Sequence, residues 1–181
     1  MLNRIGLAGV SLAVSVAAAG CSRAQPAAAP QAGAATAAAG VGAADVLLRE
    51  RPADAQPVGD VRESAEDGVE VTILGRIGGG QSPWVDGRAA FTIVDPKLKP
   101  CTPDEGCPTP WDYCCSTDQL PANRAMIKVV DSAGGTVEQD ARKLLGVKEL
   151  QTVVVKGKAK RDEAGNLTVL ANGVFVVPET K

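Results

Sequence analysis

The chain has no histidine. That removes the commonest general base and the commonest neutral metal ligand. Serine–histidine and cysteine–histidine catalysis are excluded within the chain, as is haem attachment through a C-x-x-C-H motif. Aromatic residues make up only 3% of the sequence, thin for a platform that stacks nucleic-acid bases. A formal charge of −2 gives no global basic field. The apolar run from Leu7 to Val16 is too short to span a bilayer as a stable helix. With no catalytic set in view, a non-enzymatic protein is expected. Its 181 residues suit one domain with an anchor and a tail.

What is present begins with an export signal. Arg4 supplies a short positive region, Leu7 to Val16 an apolar one, and Ala18-Ala19-Gly20-Cys21 a small-residue run ending in cysteine. This end resembles the lipobox of bacterial lipoproteins, with Ala18 where leucine is usual. The resemblance implies a lipoprotein signal peptide over 1–20, cleavage before Cys21 and acylation of Cys21. Each buried acyl CH₂ then adds about 0.8 kcal/mol of anchoring. The protein is expected to be extracytoplasmic and held to a bacterial membrane through Cys21. By analogy with lipoprotein sorting, Ser22 leans toward an outer membrane facing the periplasm. An ordinary cleaved signal with a stray cysteine is the plainer alternative.

Residues 22–44 are almost all Ala, Gly, Pro, Gln, Ser and Thr. They lack periodicity and cannot bury enough apolar surface to offset the entropy of ordering them. The lipidated cysteine and a disordered tether therefore occupy 21–44, and the folded domain 45–181.

Within that domain, Pro57 is well placed to open a helix over 58–67, with Gly68 as its stop. Val69, Val71, Ile73, Gly75 and Ile77 alternate with polar residues and predict a strand with one buried face. Gly78-Gly79-Gly80 breaks it. No Lys-Ser/Thr comes after the glycines, so a bend or bulge is expected rather than a phosphate loop. Further strands are expected at 89–94, 124–130, 152–160 and 167–177, with a short helix over 139–145. Three strands, a helix and two strands is the order of the five-stranded OB-fold, a Greek-key barrel with a helix between strands three and four. The fold class is therefore mainly β and OB-fold-like. A barrel of roughly 120 residues buries about two thirds of its unfolded surface and needs no staples to stand.

Four blocks carry a closer likeness: Val71 to Gly79, Asp86 to Pro96, Cys107-Pro-Thr-Pro-Trp-Asp-Tyr-Cys114-Cys115, and Val153 to Lys158. The chain resembles bacterial OB-fold lipoproteins of the cell envelope, a largely uncharacterised family. The likeness covers most of 57–177. It implies a fold and a location and brings no established activity.

The segment 96–122 stands apart. It holds half of the twelve prolines, four of the five cysteines, one of two tryptophans and the only tyrosine. Two disulfides suit four cysteines in an exported domain. Bonds crossing from Cys101 and Cys107 to the Cys114-Cys115 pair are favoured, with the pairing left open. The alternative is a four-thiolate site for zinc or iron. Against it, the spacing C-x5-C-x6-C-C lacks paired knuckles, and adjacent cysteines in extended chain point apart. A thiol-redox role is a third reading, disfavoured by the acidic neighbours Asp104, Glu105, Asp112 and Asp118.

Trp84, Trp111 and Tyr113 are candidate ligand contacts, or they pack over the cysteines and cap the barrel. Lys156, Lys158, Lys160 and Arg161 form a basic comb that reads as a solvated strand face. Nucleic acid is not an expected partner. The expected function is a membrane-anchored binding module for a protein, glycan or small molecule of the envelope. The alternative is a metal-binding or thiol-redox protein.

Overall fold

A computed structural model describes residues 40–179. The expected signal peptide, Cys21 and most of the tether lie outside them. Among the described residues no helix is long and apolar enough to cross a membrane.

Alternation of apolar and polar side chains builds the architecture. In β2 (Glu70–Ile77) it turns Ile73, Gly75 and Ile77 inward. In β3 (Ala90–Val94) and β4 (Arg124–Val129) it buries Phe91, Ile93, Ile127 and Val129. In β5 (Thr152–Arg161) the comb lysines Lys156, Lys158 and Lys160 point to solvent while Val153, Val155 and Ala159 point in. β6 (Leu167–Val176) completes the set. These five strands pair in the order β2-β3-β4-β6-β5, and β5 returns to β2 to close a mixed barrel. All pairings are antiparallel except β4 with β6. The result is an OB-fold-like barrel.

Two glycines allow the strands to approach. A Cβ on Gly75 would meet Ile93 at 2.7 Å. Gly157 sits at the register shift between Lys156 and Gly157, where a Cβ would strike the Leu170 carbonyl. Such an irregularity bends the strand and sharpens the barrel's curvature.

The expected short helix lies between β4 and β5. It spans Ala141–Leu145 and buries Ala141, Leu144 and Leu145 against the barrel core. It begins two residues later than the expected 139, at the first residue of its apolar stripe, because Asp140 caps it, accepting from Arg142 N–H at 2.9 Å. Gly146 ends it at φ 66°, as expected. The Arg142 side chain, hydrogen-bonded to the Asp140 carboxyl, holds that group's pKa at about 2.

Three features were not expected. Val41, Val46 and Leu47 pack on the barrel through a single turn, α1 (Ala43–Val46), and Leu47 bridges Val174. The tether's last residues thus belong to the domain. A two-residue strand, β1 (Gln56–Pro57), adds parallel to β2. The helix after it, α2 (Val58–Ser64), stops short of Gly68. Arg161 explains the stop: its Nε donates to the Ala65 carbonyl at 3.0 Å and its Nη2 to that of Arg62. A side chain from β5 takes the carbonyls another turn would have used.

Asp95 fixes α2 to the barrel. It is 1% exposed. One oxygen accepts from Gly59 N–H at 2.7 Å and the other from Lys97 N–H at 2.9 Å. Asp95→Ala leaves both amides without a partner, and a loss of about 2–3 kcal/mol is expected in urea unfolding. Asp95→Asn keeps one acceptor and should lose less. Equal stability of all three proteins would refute this role.

Candidate metal centre

The insertion between β3 and β4 is irregular but tightly docked. Three single-turn 3₁₀ helices, Pro103–Glu105, Pro110–Asp112 and Cys114–Ser116, lead to the four-residue helix α3 (Leu120–Asn123). Cys101 N–H donates to the Pro110 carbonyl at 3.0 Å and closes the loop.

Glycines 78 and 79 are the docking surface. Gly79 N–H donates to the Trp111 carbonyl at 2.8 Å. A Cβ on Gly78 would meet that same carbonyl at 2.6 Å and the Tyr113 ring at 2.9 Å. Gly79, at φ 94°, would drive a Cβ into Val94 and Arg124. The glycine run is a bend, as its composition suggests. Its second role, leaving room for another backbone, has no local signature in the sequence.

Tyr113 positions the cysteine pair next to it. It is fully buried among Val94, Leu98 and Leu120, a small core separate from the barrel's own. Its hydroxyl accepts from Arg76 Nη1 at 3.5 Å. Burial pushes the phenol up, and Arg76 partly offsets this. Its backbone is left-handed, φ 58° and ψ 35°, a costly conformation for a bulky residue. That reversal starts the turn Cys114–Ser116 and brings neighbouring Cys114 and Cys115 sulfurs to 3.9 Å. The objection that adjacent cysteines diverge holds for extended chain, and this chain is not extended here.

All four sulfurs lie within 4.8 Å of one another. Cys101 to Cys114 is 3.4 Å and Cys107 to Cys115 is 3.7 Å. Cys107 and Cys114 are closer still and form a disulfide-capable pair, with Cys101 and Cys115 as thiols. Of the crossing pairs expected from sequence, this is one, and no second bond accompanies it. The Cα atoms of that pair are 7.3 Å apart. Disulfides usually span roughly 4.4–6.8 Å between Cα atoms. Four thiolates about 2.3 Å from a tetrahedral zinc would stand about 3.8 Å from each other. The contacts of Cys101 and Cys115 approach that spacing, whereas the Cys107 and Cys114 sulfurs stand closer than two ligands of one ion would.

Asp112 supports the cluster from behind. Its Oδ1 accepts from Cys114 N–H at 2.9 Å, and its Oδ2 accepts from the Thr109 hydroxyl at 2.6 Å. The Thr109 bond is the main reason its carboxyl lies below the usual range. A hydrogen bond with Cys101, then desolvation and the charges of Cys101, Glu105 and Asp112, push the Cys115 thiol up. Cys101 is buried and Cys115 exposed, so the cluster opens to solvent on one side.

The aromatic candidates separate. Tyr113 has no exposed surface and Trp84 only 8%, so neither ring is available to a ligand. Trp84 packs on Phe91 at 5.9 Å, donates to Glu149 at 2.6 Å, and lies under the Arg142 guanidinium. It caps the barrel. Trp111 is half-buried and donates to the Gln81 carbonyl at 3.0 Å, tying the insertion to the glycine bend.

No protein-family model matches the chain, and no curated protein matches it.

Proposed function

We propose that this protein is a non-enzymatic OB-barrel module whose insertion is held by one soft metal ion, zinc or iron, on Cys101, Cys107, Cys114 and Cys115. The observation that carries the reading is the convergence of four sulfurs within 4.8 Å from a spacing that separates them in the chain. Four-sulfur tetrahedral sites select zinc or iron. Four thiolates fill a tetrahedral ion's coordination and leave no open position for a hydrolytic water, so the ion's role is to lock the loop. We further propose, on the lipobox-like sequence ending at Cys21, that the module is tethered extracytoplasmically to a bacterial membrane. There it presents the barrel face beside the insertion to an envelope partner.

Intact-mass spectrometry under native conditions tests both parts on full-length protein extracted from its host membrane. The expected mass begins at an acylated Cys21 and carries one metal ion that acid removes. A chain two or four hydrogens lighter than the reduced sequence, without metal, would assign the cysteines to disulfides. A mass beginning at an unmodified residue would sink the anchor.

A further inference from the structure

The outer face of the barrel beside the insertion carries a feature that the cysteine cluster does not explain. A groove of about 650 Å³ runs along β4, between Thr92 on β3 and Thr168 on β6. Arg62 from α2 and Pro121 from α3 form its upper walls. Along β4 the outward residues are Arg124, Met126 and Lys128, the other three being buried.

The groove holds three cations and one carboxylate, Asp162. Ion pairs form at other places on the surface, as in Arg88 with Glu138, Arg142 with Asp140 and Lys148 with Glu179, while among the described residues the β5 lysines, like the groove's cations, stand free of them. Among the described residues no carboxylate forms an ion pair with Arg62, Arg124 or Lys128. Asp162 lines the same groove and makes no close ion pair there; its oxygens accept from Asn166 N–H and Nδ2, both at 2.8 Å, and its charge still acts on Arg62. The arginines are instead held by neutral carbonyls. Arg62 donates to Arg124 O at 3.0 Å and Gly165 O at 3.4 Å, and Arg124 to Gly79 O at 2.8 Å. These bonds orient the guanidinium groups without cancelling their charge. Burial first, and then the nearby Arg161 and Arg124, lower the Arg62 pKa, while the Asp162 carboxylate raises it.

Spacing and composition select the ligand. Residues 124 and 128 are four apart on a strand, about 13 Å. One small anion cannot span that distance, whereas a chain with repeated charges can. The lining contains no aromatic ring, so a base has nothing to stack on, and single-stranded nucleic acid is a poor fit. Thr92 gives its proton to the Gly78 carbonyl at 2.7 Å and keeps its lone pairs for an incoming hydroxyl. Thr168 offers a second hydroxyl on the opposite wall.

We propose that this groove binds an acidic polysaccharide, its anionic groups on Arg62, Arg124 and Lys128 and its hydroxyls on Thr92 and Thr168. The site is independent of whether the cysteines hold a metal.

The test titrates full-length protein in detergent with oligogalacturonate, sulfated dextran oligosaccharide, neutral methyl-esterified oligogalacturonate, polyphosphate and oligo(dT), by isothermal calorimetry. One of the two acidic sugars should bind saturably and weaken as salt rises. The neutral ester should not bind. Lys128→Gln should weaken binding about fivefold with an unchanged melting temperature, since Lys128 holds nothing in the fold. Lys156→Gln, on the far comb, should leave binding unchanged. The proposal is overturned if neither acidic sugar binds, if Lys128→Gln binds as tightly as the natural protein, or if polyphosphate or oligo(dT) binds as well as the sugar.

Discussion

Cys114→Ser should abolish stoichiometric metal retention and lower the melting temperature on the order of 10 °C. Cys114 is the hub of the cluster: Cys107, Cys101 and Cys115 all lie within 3.9 Å of its sulfur. Three remaining thiolates cannot complete a tetrahedral four-sulfur site. An ion bound only by the folded state stabilises it by about 4 kcal/mol when its free concentration is a thousandfold above Kd. In a domain of this size each kcal/mol moves the midpoint by about 2–4 °C. A chelator on the natural protein should reproduce the shift, and a non-chelating reductant should not. The opposite pattern, with reductant lowering the midpoint and chelator inert, would establish a disulfide frame. Because the barrel has its own core, the variant should still show the β spectrum of the natural protein in far-UV circular dichroism. What it should lose is protease resistance between 96 and 122.

Tyr113→Ala should cost about 3–5 kcal/mol, the range for deleting a fully buried ring. The ring is the centre of the insertion's own small core, with Val94, Leu98 and Leu120 around it. Two companion variants separate its roles. Tyr113→Phe keeps the ring and removes only the Arg76 partner, so a loss of about 1 kcal/mol is expected. Tyr113→Gly removes the ring but adopts φ 58° freely, so it should be about 1 kcal/mol more stable than the alanine variant. Chemical denaturation orders the three. A glycine variant less stable than alanine would show that the left-handed backbone is not what positions Cys114 and Cys115.

The barrel was legible because its signal is local. Period-two alternation in Val69 to Ile77 and in Thr152 to Lys160 specifies which face is buried, and the observed strands end within a residue or two of the expected bounds. Gly146 was legible because a helix stop depends on one residue's φ. What stayed hidden depends on partners distant in the chain. The early end of α2 is set by Arg161, about a hundred residues away. The packing of Leu47 requires knowing that β6 lies beside it. The cysteines were visible as a group, but their convergence depends on Tyr113 taking a conformation its residue type disfavours, and on glycines 78 and 79 admitting the Trp111 carbonyl. For the three aromatics, sequence offered both contact and packing. Burial assigns Trp84 and Tyr113 to packing.

The closure of β2 against β5 also sets a timetable. Register partners such as Glu70 and Lys158 lie at opposite ends of the domain's sequence. The first barrel strand can therefore pair fully only after almost the whole chain is available. Until then the β2 backbone is an open edge with unsatisfied amides, able to recruit another chain's strand. Proteins dominated by such distant pairings fold in milliseconds to seconds rather than microseconds. That interval, more than the finished barrel, is when this domain is vulnerable to aggregation. The exposed lysines of β5, repeated at every second residue, put like charges on the strand that closes the gap and oppose the side-by-side stacking of two unfinished copies.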